Sequence, residues 1–209
     1  MTYGNHDIRK RGDGIAPNPL LMIWTQPRST MLWLSENRPK WLIAYPILAG
    51  GFSRTLMRLG DAPVDLSLTP EQILLTVAIA GPLVGLMIVF VVGRLLHMVL
   101  GFMGGKGTWV QSRTVIAWAL APGIPACALW VVMIATHGLS AIGPLEAEST
   151  PFLLQIDYFI QFAFMLWALV LEVLGLANVH RLSTWRIVGA ELLLGITLFA
   201  ILLGVLVLA

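Results

Sequence analysis

Five ionisable side chains stand inside long apolar runs: Arg94, His97, Glu172, His180 and Glu191. A charge in hydrocarbon is costly, so each must be paired, hydrated or in use. Arg94 and His97 are three residues apart and share a helix face. Glu172 precedes His180 by eight residues, about 12 Å along a helix, and Glu191 follows Arg186 by five, about 8 Å. All five lie toward one end of their runs, so a compact bundle could gather them into one intramembrane polar cluster. Three uses are open to such a cluster. It could be an interhelical network with Glu172 paired to Arg94 or protonated, a proton or ion relay, or a pocket for a lipid headgroup or small polar ligand. His180 by itself reads as an interfacial loop histidine. Asp157, Gln161 and Glu172 fall on one helical stripe with Ala168 and Gly175, and such a stripe faces protein or water.

Other chemistries are not readable. His6, His97, His137 and His180 show no metal-binding spacing, so no metal and no cofactor is expected. No serine or cysteine sits in a nucleophile motif, and the chain reads as a non-enzyme. A serine and a histidine at hydrogen-bond reach in the fold would revive the enzyme reading. The glycines around Lys106 lack phosphate-loop spacing and follow a membrane helix, which argues against nucleotide binding. That segment reads as a flexible cytoplasmic turn whose lysine can touch anionic lipid. Gly81 and Gly85, and Gly101 and Gly105, have the spacing of close helix packing.

The elements that must carry these residues are membrane helices. The chain has 209 residues, of which 57% are hydrophobic and only 11% charged, with a mean hydropathy of +0.83. A soluble domain carries about a quarter charged residues. These values exclude a soluble globular protein, a disordered chain and a nucleic-acid-binding domain. Residues 83–92 are almost continuously apolar, without the alternation of a barrel strand. The fold class is therefore an all-α integral membrane protein, a five-transmembrane-helix bundle preceded by short interfacial helices. The spans are expected near 41–59, 71–101, 114–139, 151–180 and 184–209, within a transmembrane domain of 40–209. Pro82 is expected to kink the second span, and Pro122 with Pro125 to bend the third. Residues 1–17, with Arg9, Lys10 and Arg11, read as a disordered cytoplasmic arm. No cleavable signal peptide is expected.

Residues 18–39 are cut by Pro19, Pro27 and Pro39 into pieces too short to span. They read as amphipathic interfacial helices with tryptophans at headgroup depth, or as helices packed on the bundle, or both. Basic residues gather in the N-terminal segment and in the loops after the second and fourth spans. The loop between spans three and four has Glu146 and Glu148 but no lysine or arginine. The positive-inside rule then puts the N-terminus in the cytoplasm and the C-terminus outside or in a lumen. Arg54 and Arg58 are the exceptions, and either snorkel or pair within the bundle. The net charge of +2 thus records orientation. Trp24, Arg28, Trp33, Lys106, Trp109 and Arg113 are the candidate contacts for lipid headgroups or a partner.

Four stretches resemble the Yip-domain family, named for proteins that interact with Ypt/Rab GTPases, and its prokaryotic branch most. The first is Asn18-Pro19 through Ile23-Trp24-Thr25-Gln26-Pro27-Arg28. The second is Gly104-Gly105-Lys106-Gly107-Thr108-Trp109-Val110-Gln111. The third is Ala117-Trp118-Ala119-Leu120-Ala121-Pro122. The fourth runs Leu174-Gly175-Leu176-Ala177-Asn178-Val179-His180-Arg181-Leu182-Ser183. The resemblance implies five spans, a cytosolic N-terminus and, in eukaryotic members, membrane traffic through Rab GTPases. The long N-terminal region and the Asp-Leu-Tyr-Gly-Pro stretch of those members are not found in this sequence, so the resemblance does not carry binding of a Rab-type GTPase over to it. The expected role is a membrane scaffold or adaptor that meets anionic headgroups, a partner membrane protein or its own copies. The alternative is a small transporter, channel or lipid-handling protein that uses the inner-half polar cluster.

Overall fold

A computed structural model describes residues 18–37, 43–60, 69–138 and 152–208. The arm at 1–17, the first residues of the first expected span and the acidic outer loop with Glu146 and Glu148 lie outside the described residues. Within them all regular structure is helical. The elements are α1 (Pro19–Thr25), α2 (Pro27–Asn37), α3 (Ala44–Gly60), α4 (Pro70–Met87), a π-helical turn (Ile88–Val92), α5 (Gly93–Phe102), α6 (Trp109–Ala119), α7 (Gly123–His137), α8 (Phe152–His180) and α9 (Thr184–Leu208). Four stretches are long and apolar enough to cross a membrane: Glu71–Phe102, Trp109–Thr136, Gln155–His180 and Thr184–Val205. The chain is an integral membrane protein. α3 has 17 residues and falls short of that length.

Capping explains where the elements begin. Thr69 and Gln72 form a reciprocal capping box at the start of α4, as Thr108 and Gln111 do for α6. Each box satisfies two backbone amides that a helix start leaves without partners. The second box starts α6 five residues before the expected 114. The two prolines bend the third span as expected. Pro122 and Pro125 have no amide proton for the carbonyls of Trp118 and Ala121. Those carbonyls take bonds one residue earlier, from Ala121 N at 3.0 Å and Ile124 N at 2.9 Å. The helix therefore ends at Ala119 and restarts at Gly123. In the second span α4 continues through Pro82, and the irregularity falls at Ile88–Val92 instead. One extra residue in a helical turn shifts its phase by about 100°. Beyond it, Gly93 and His97 of α5 face Ile116 and Ser112 of α6.

Glycine decides the closest crossing. A Cβ on Gly51 would strike the Gly81 carbonyl, and one on Gly85 would strike the Ile47 carbonyl. Ile47 opposite Gly85 and Gly51 opposite Gly81 is an antiparallel register, so α3 runs beside α4 over α3's whole length. The Gly81–Gly85 spacing is thus a helix seam. Gly101 and Gly105 are not: nothing lies within 4 Å of a Cβ on Gly101, and Gly105 is outside the helix.

The core lies toward the basic end. One cluster joins Val89, Leu96 and Leu100 to Val115, Leu176 and Ile187. A second joins Ile23, Met31 and Leu34 of the first two helices to Trp118 and Leu171. α1 and α2 therefore pack on the bundle. Trp24 stacks on Trp167 at 6.2 Å and meets Phe164 edge-on at 6.0 Å. Trp167 is thirteen residues, or about 20 Å, along α8 from His180. Trp24 thus meets α8 about 20 Å along that helix from its basic end. Trp33 is half-buried against the same second cluster.

Candidate functional site

The expected single cluster divides into two. At the basic end, Thr108 starts α6 and places Ser112 one turn later between two imidazoles. His97 Nδ1 lies 3.0 Å from Ser112 Oγ, and His180 Nε2 lies 2.8 Å from the same oxygen. Ser112 Oγ is also 3.2 Å from the Thr108 carbonyl. A hydroxyl has one proton and two lone pairs. All three contacts are satisfied when Ser112 donates to Thr108 O and accepts N–H from both histidines. In that arrangement His97 carries its proton on Nδ1 and His180 on Nε2. Three elements, α5, α6 and α8, are thereby tied through one oxygen.

The glycine-rich segment closes over this knot. Lys106 N donates to the His180 carbonyl at 3.1 Å, and Gly105 N to the Leu100 carbonyl at 2.9 Å. A Cβ on Gly105 would strike His180 Nδ1, and one on Gly107 would lie 3.0 Å from His180 Nε2. Gly104 has φ +87°. The segment expected as a flexible turn is held by these two backbone bonds against the His180 ring, where Gly105 and Gly107 leave no room for a side chain. The reading of His180 as an interfacial loop histidine is overturned: it ends α8 and is 1% exposed.

Aromatic and amide contacts widen the platform. The Arg94 guanidinium lies 5.3 Å from the Trp109 ring centre, and His97 packs on the same ring at 5.8 Å. Arg113 lies 5.6 Å from the Phe90 ring. Arg28 Nε donates to Asn178 Oδ1 at 3.2 Å, and Asn178 Nδ2 returns a bond to the Arg28 carbonyl at 3.3 Å. Lys106 remains exposed. So do Arg181, Arg186, Phe102 at 88% and Trp185 at 83%.

Glu172 and Glu191 belong to the second group. Glu172 lies within electrostatic range of Arg54 of α3, and Glu191 within range of Glu172. Glu191 Oε1 is buried and accepts no hydrogen bond from the described residues. Arg54 lies about 15 Å along α3 from Ala44, whereas Arg58 is exposed. A cavity of about 40 Å³ lies beside Ser53, Arg54 and Gln161, room for about two or three waters. Asp157 and Gln161 are each 3% exposed, and Gln161 Nε2 donates to the Ala126 carbonyl at 3.1 Å. The polar stripe of α8 faces protein, as its spacing predicts.

Ser112 and the Arg54–Glu172 attraction were not legible in sequence. Ser112 carries no motif beyond its place one turn after a capping threonine. Among the described residues no group of three metal-ligating side chains forms.

The Yip1-domain family model matches residues 21–208. The chain belongs to the Yip1-domain family. No curated protein and no solved structure matches it. For this Yip1-domain protein the matched region takes in both polar groups, the glycine-rich segment and most of α1.

Proposed function

We propose that this Yip1-domain protein is a non-enzymatic membrane scaffold whose basic end organises anionic lipid and presents a surface to a partner. The observation that carries this reading is the knot at Ser112. Ser112 Oγ, His97 Nδ1 and His180 Nε2 are engaged in contacts that hold α5, α6 and α8 together, while His180 Nδ1 is buried without a partner among the described residues. Ser112 is at hydrogen-bond reach of a histidine, the criterion for an enzyme. At 0% exposure, however, no substrate reaches its hydroxyl. What the rigid platform offers outward is cationic and aromatic: Lys106, Arg181, Arg186, Phe102 and Trp185.

In this reading α3 is the fifth span, because it accompanies α4 in antiparallel register. The positive-inside bias puts the platform in the cytoplasm of a bacterium, with the C-terminus outside. Spin-labelled phosphatidylglycerol should be immobilised by the reconstituted protein in preference to phosphatidylcholine. Lys106→Glu, Arg181→Glu and Arg186→Glu together should abolish the preference. Equal immobilisation of both lipids by the wild type would refute the lipid-organising reading. A second reading, a small transporter, is favoured by the water-sized cavity beside Arg54 and the neighbouring Glu172.

A further inference from the structure

Ala121, before the restart of the helix, and Pro125 and Ala128 of α7 recur at helical spacing, with Ile124 beside them, and form one wall of a groove. Opposite stand Leu20 and Trp24, one turn apart on α1, and Phe164 of α8. Between them lies an apolar groove of about 450 Å³, within the range of about 300–1,000 Å³ of small-ligand sites. Trp24 is held there by its stack on Trp167 and its edge contact with Phe164, so the wall is preformed.

The groove has a defined depth. Phe164 lies fourteen residues below Asn178, or about 21 Å along α8. Half of a bilayer with its headgroups is about 20–22 Å. A phosphate level with Asn178 therefore has a chain that ends beside Phe164. The residue at that upper level is Arg28, which follows Trp24 by four positions. Its reciprocal bonds with Asn178 fix its guanidinium while engaging one of five N–H donors. Arg28 is exposed, and a guanidinium fork suits a phosphate.

We infer that this groove holds one acyl chain of an anionic glycerophospholipid whose phosphate meets Arg28. Depth, volume and charge each favour this occupant. A soluble peptide would not reach the groove's depth in hydrocarbon, and a wholly apolar molecule would leave the remaining Arg28 donors unused. The inference rests on the lipid-organising reading, yet it concerns chain occupancy, which can fail while headgroup preference at the platform survives.

The test is native mass spectrometry of the full chain, extracted in mild detergent with its membrane lipids. One phospholipid should remain on the wild type, and Ala128→Trp, which fills the groove, should release it. Arg28→Gln should keep a chain but lower the preference for phosphatidylglycerol over phosphatidylcholine about tenfold or more, as expected for one charge-assisted hydrogen bond. A second measurement needs no groove variant. Phosphatidylglycerol brominated at mid-chain should quench a fluorescence component present in wild type and absent in Trp24→Phe, even under excess unbrominated phosphatidylcholine. A wild type without lipid, retention in folded Ala128→Trp, no such quenching, or a sterol or isoprenoid as the bound species would each overturn the inference.

Discussion

Three glycines within five residues should respond to alanine in three different ways if the segment after α5 is a fitted lid. Gly101 is helical with open space at its Cβ, so Gly101→Ala should stabilise by up to about 0.5–1 kcal/mol. Gly104 also faces open space, but its φ of +87° makes Gly104→Ala cost about 1–2 kcal/mol in backbone strain alone. Gly105→Ala has no room. Its methyl would strike His180 Nδ1 and lie 2.7 Å from the Leu100 carbonyl. Neither neighbour yields freely: Ser112 holds the ring, and that carbonyl holds the Gly105 amide. Overpacking costs about 1–3 kcal/mol, and losing the Lys106–His180 backbone bond adds about 1 kcal/mol, so the sum is about 2–4 kcal/mol. Reversible unfolding in mixed micelles, followed by tryptophan fluorescence, reads these differences. A free tether would instead tolerate all three, and values within about 0.5 kcal/mol of one another would refute the lid.

The Ser112 knot predicts strong coupling. Ser112→Ala leaves a buried imidazole N–H unpaired, and its double-mutant cycle with His180→Leu should show about 1–3 kcal/mol of interaction in the same unfolding assay; additivity would mean that the contact carries no stability. Proteoliposomes of wild type should pass protons and small ions no faster than empty liposomes. A flux that Glu172→Gln abolishes would replace the scaffold by the transporter reading.

The second group shows why pairing partners escape a linear reading. Glu172 and Arg54 are far apart in sequence, and Arg94 looked the nearer cation because both it and Glu172 count inward from a basic loop. Two things outside that count send Arg94 elsewhere. The π-helical turn alters the phase of α5, and Trp109 offers its ring to the guanidinium. Likewise, the tryptophans of 18–39 have the composition of headgroup anchors. The place of Trp24 follows from α1 finding a slot beside Trp167 and Phe164, which no property of α1 itself contains.

What the sequence determined by itself is what hydrocarbon imposes residue by residue. Helices are required because each backbone amide must be satisfied within its own segment. The prolines at 122 and 125 bend the third span because they lack that amide. The polar stripe of α8 turns inward, and the Gly81–Gly85 spacing makes a seam. These are local properties, set by chemistry and periodicity along one helix. Tertiary structure alone decided the relations between helices: Ser112 between His97 and His180, Arg54 within electrostatic range of Glu172, and an apolar groove between α1, α7 and α8. The glycine-rich segment shows the difference best. Its composition is that of a loose turn, and only the imidazole lying beneath it makes the absence of side chains a requirement of fit.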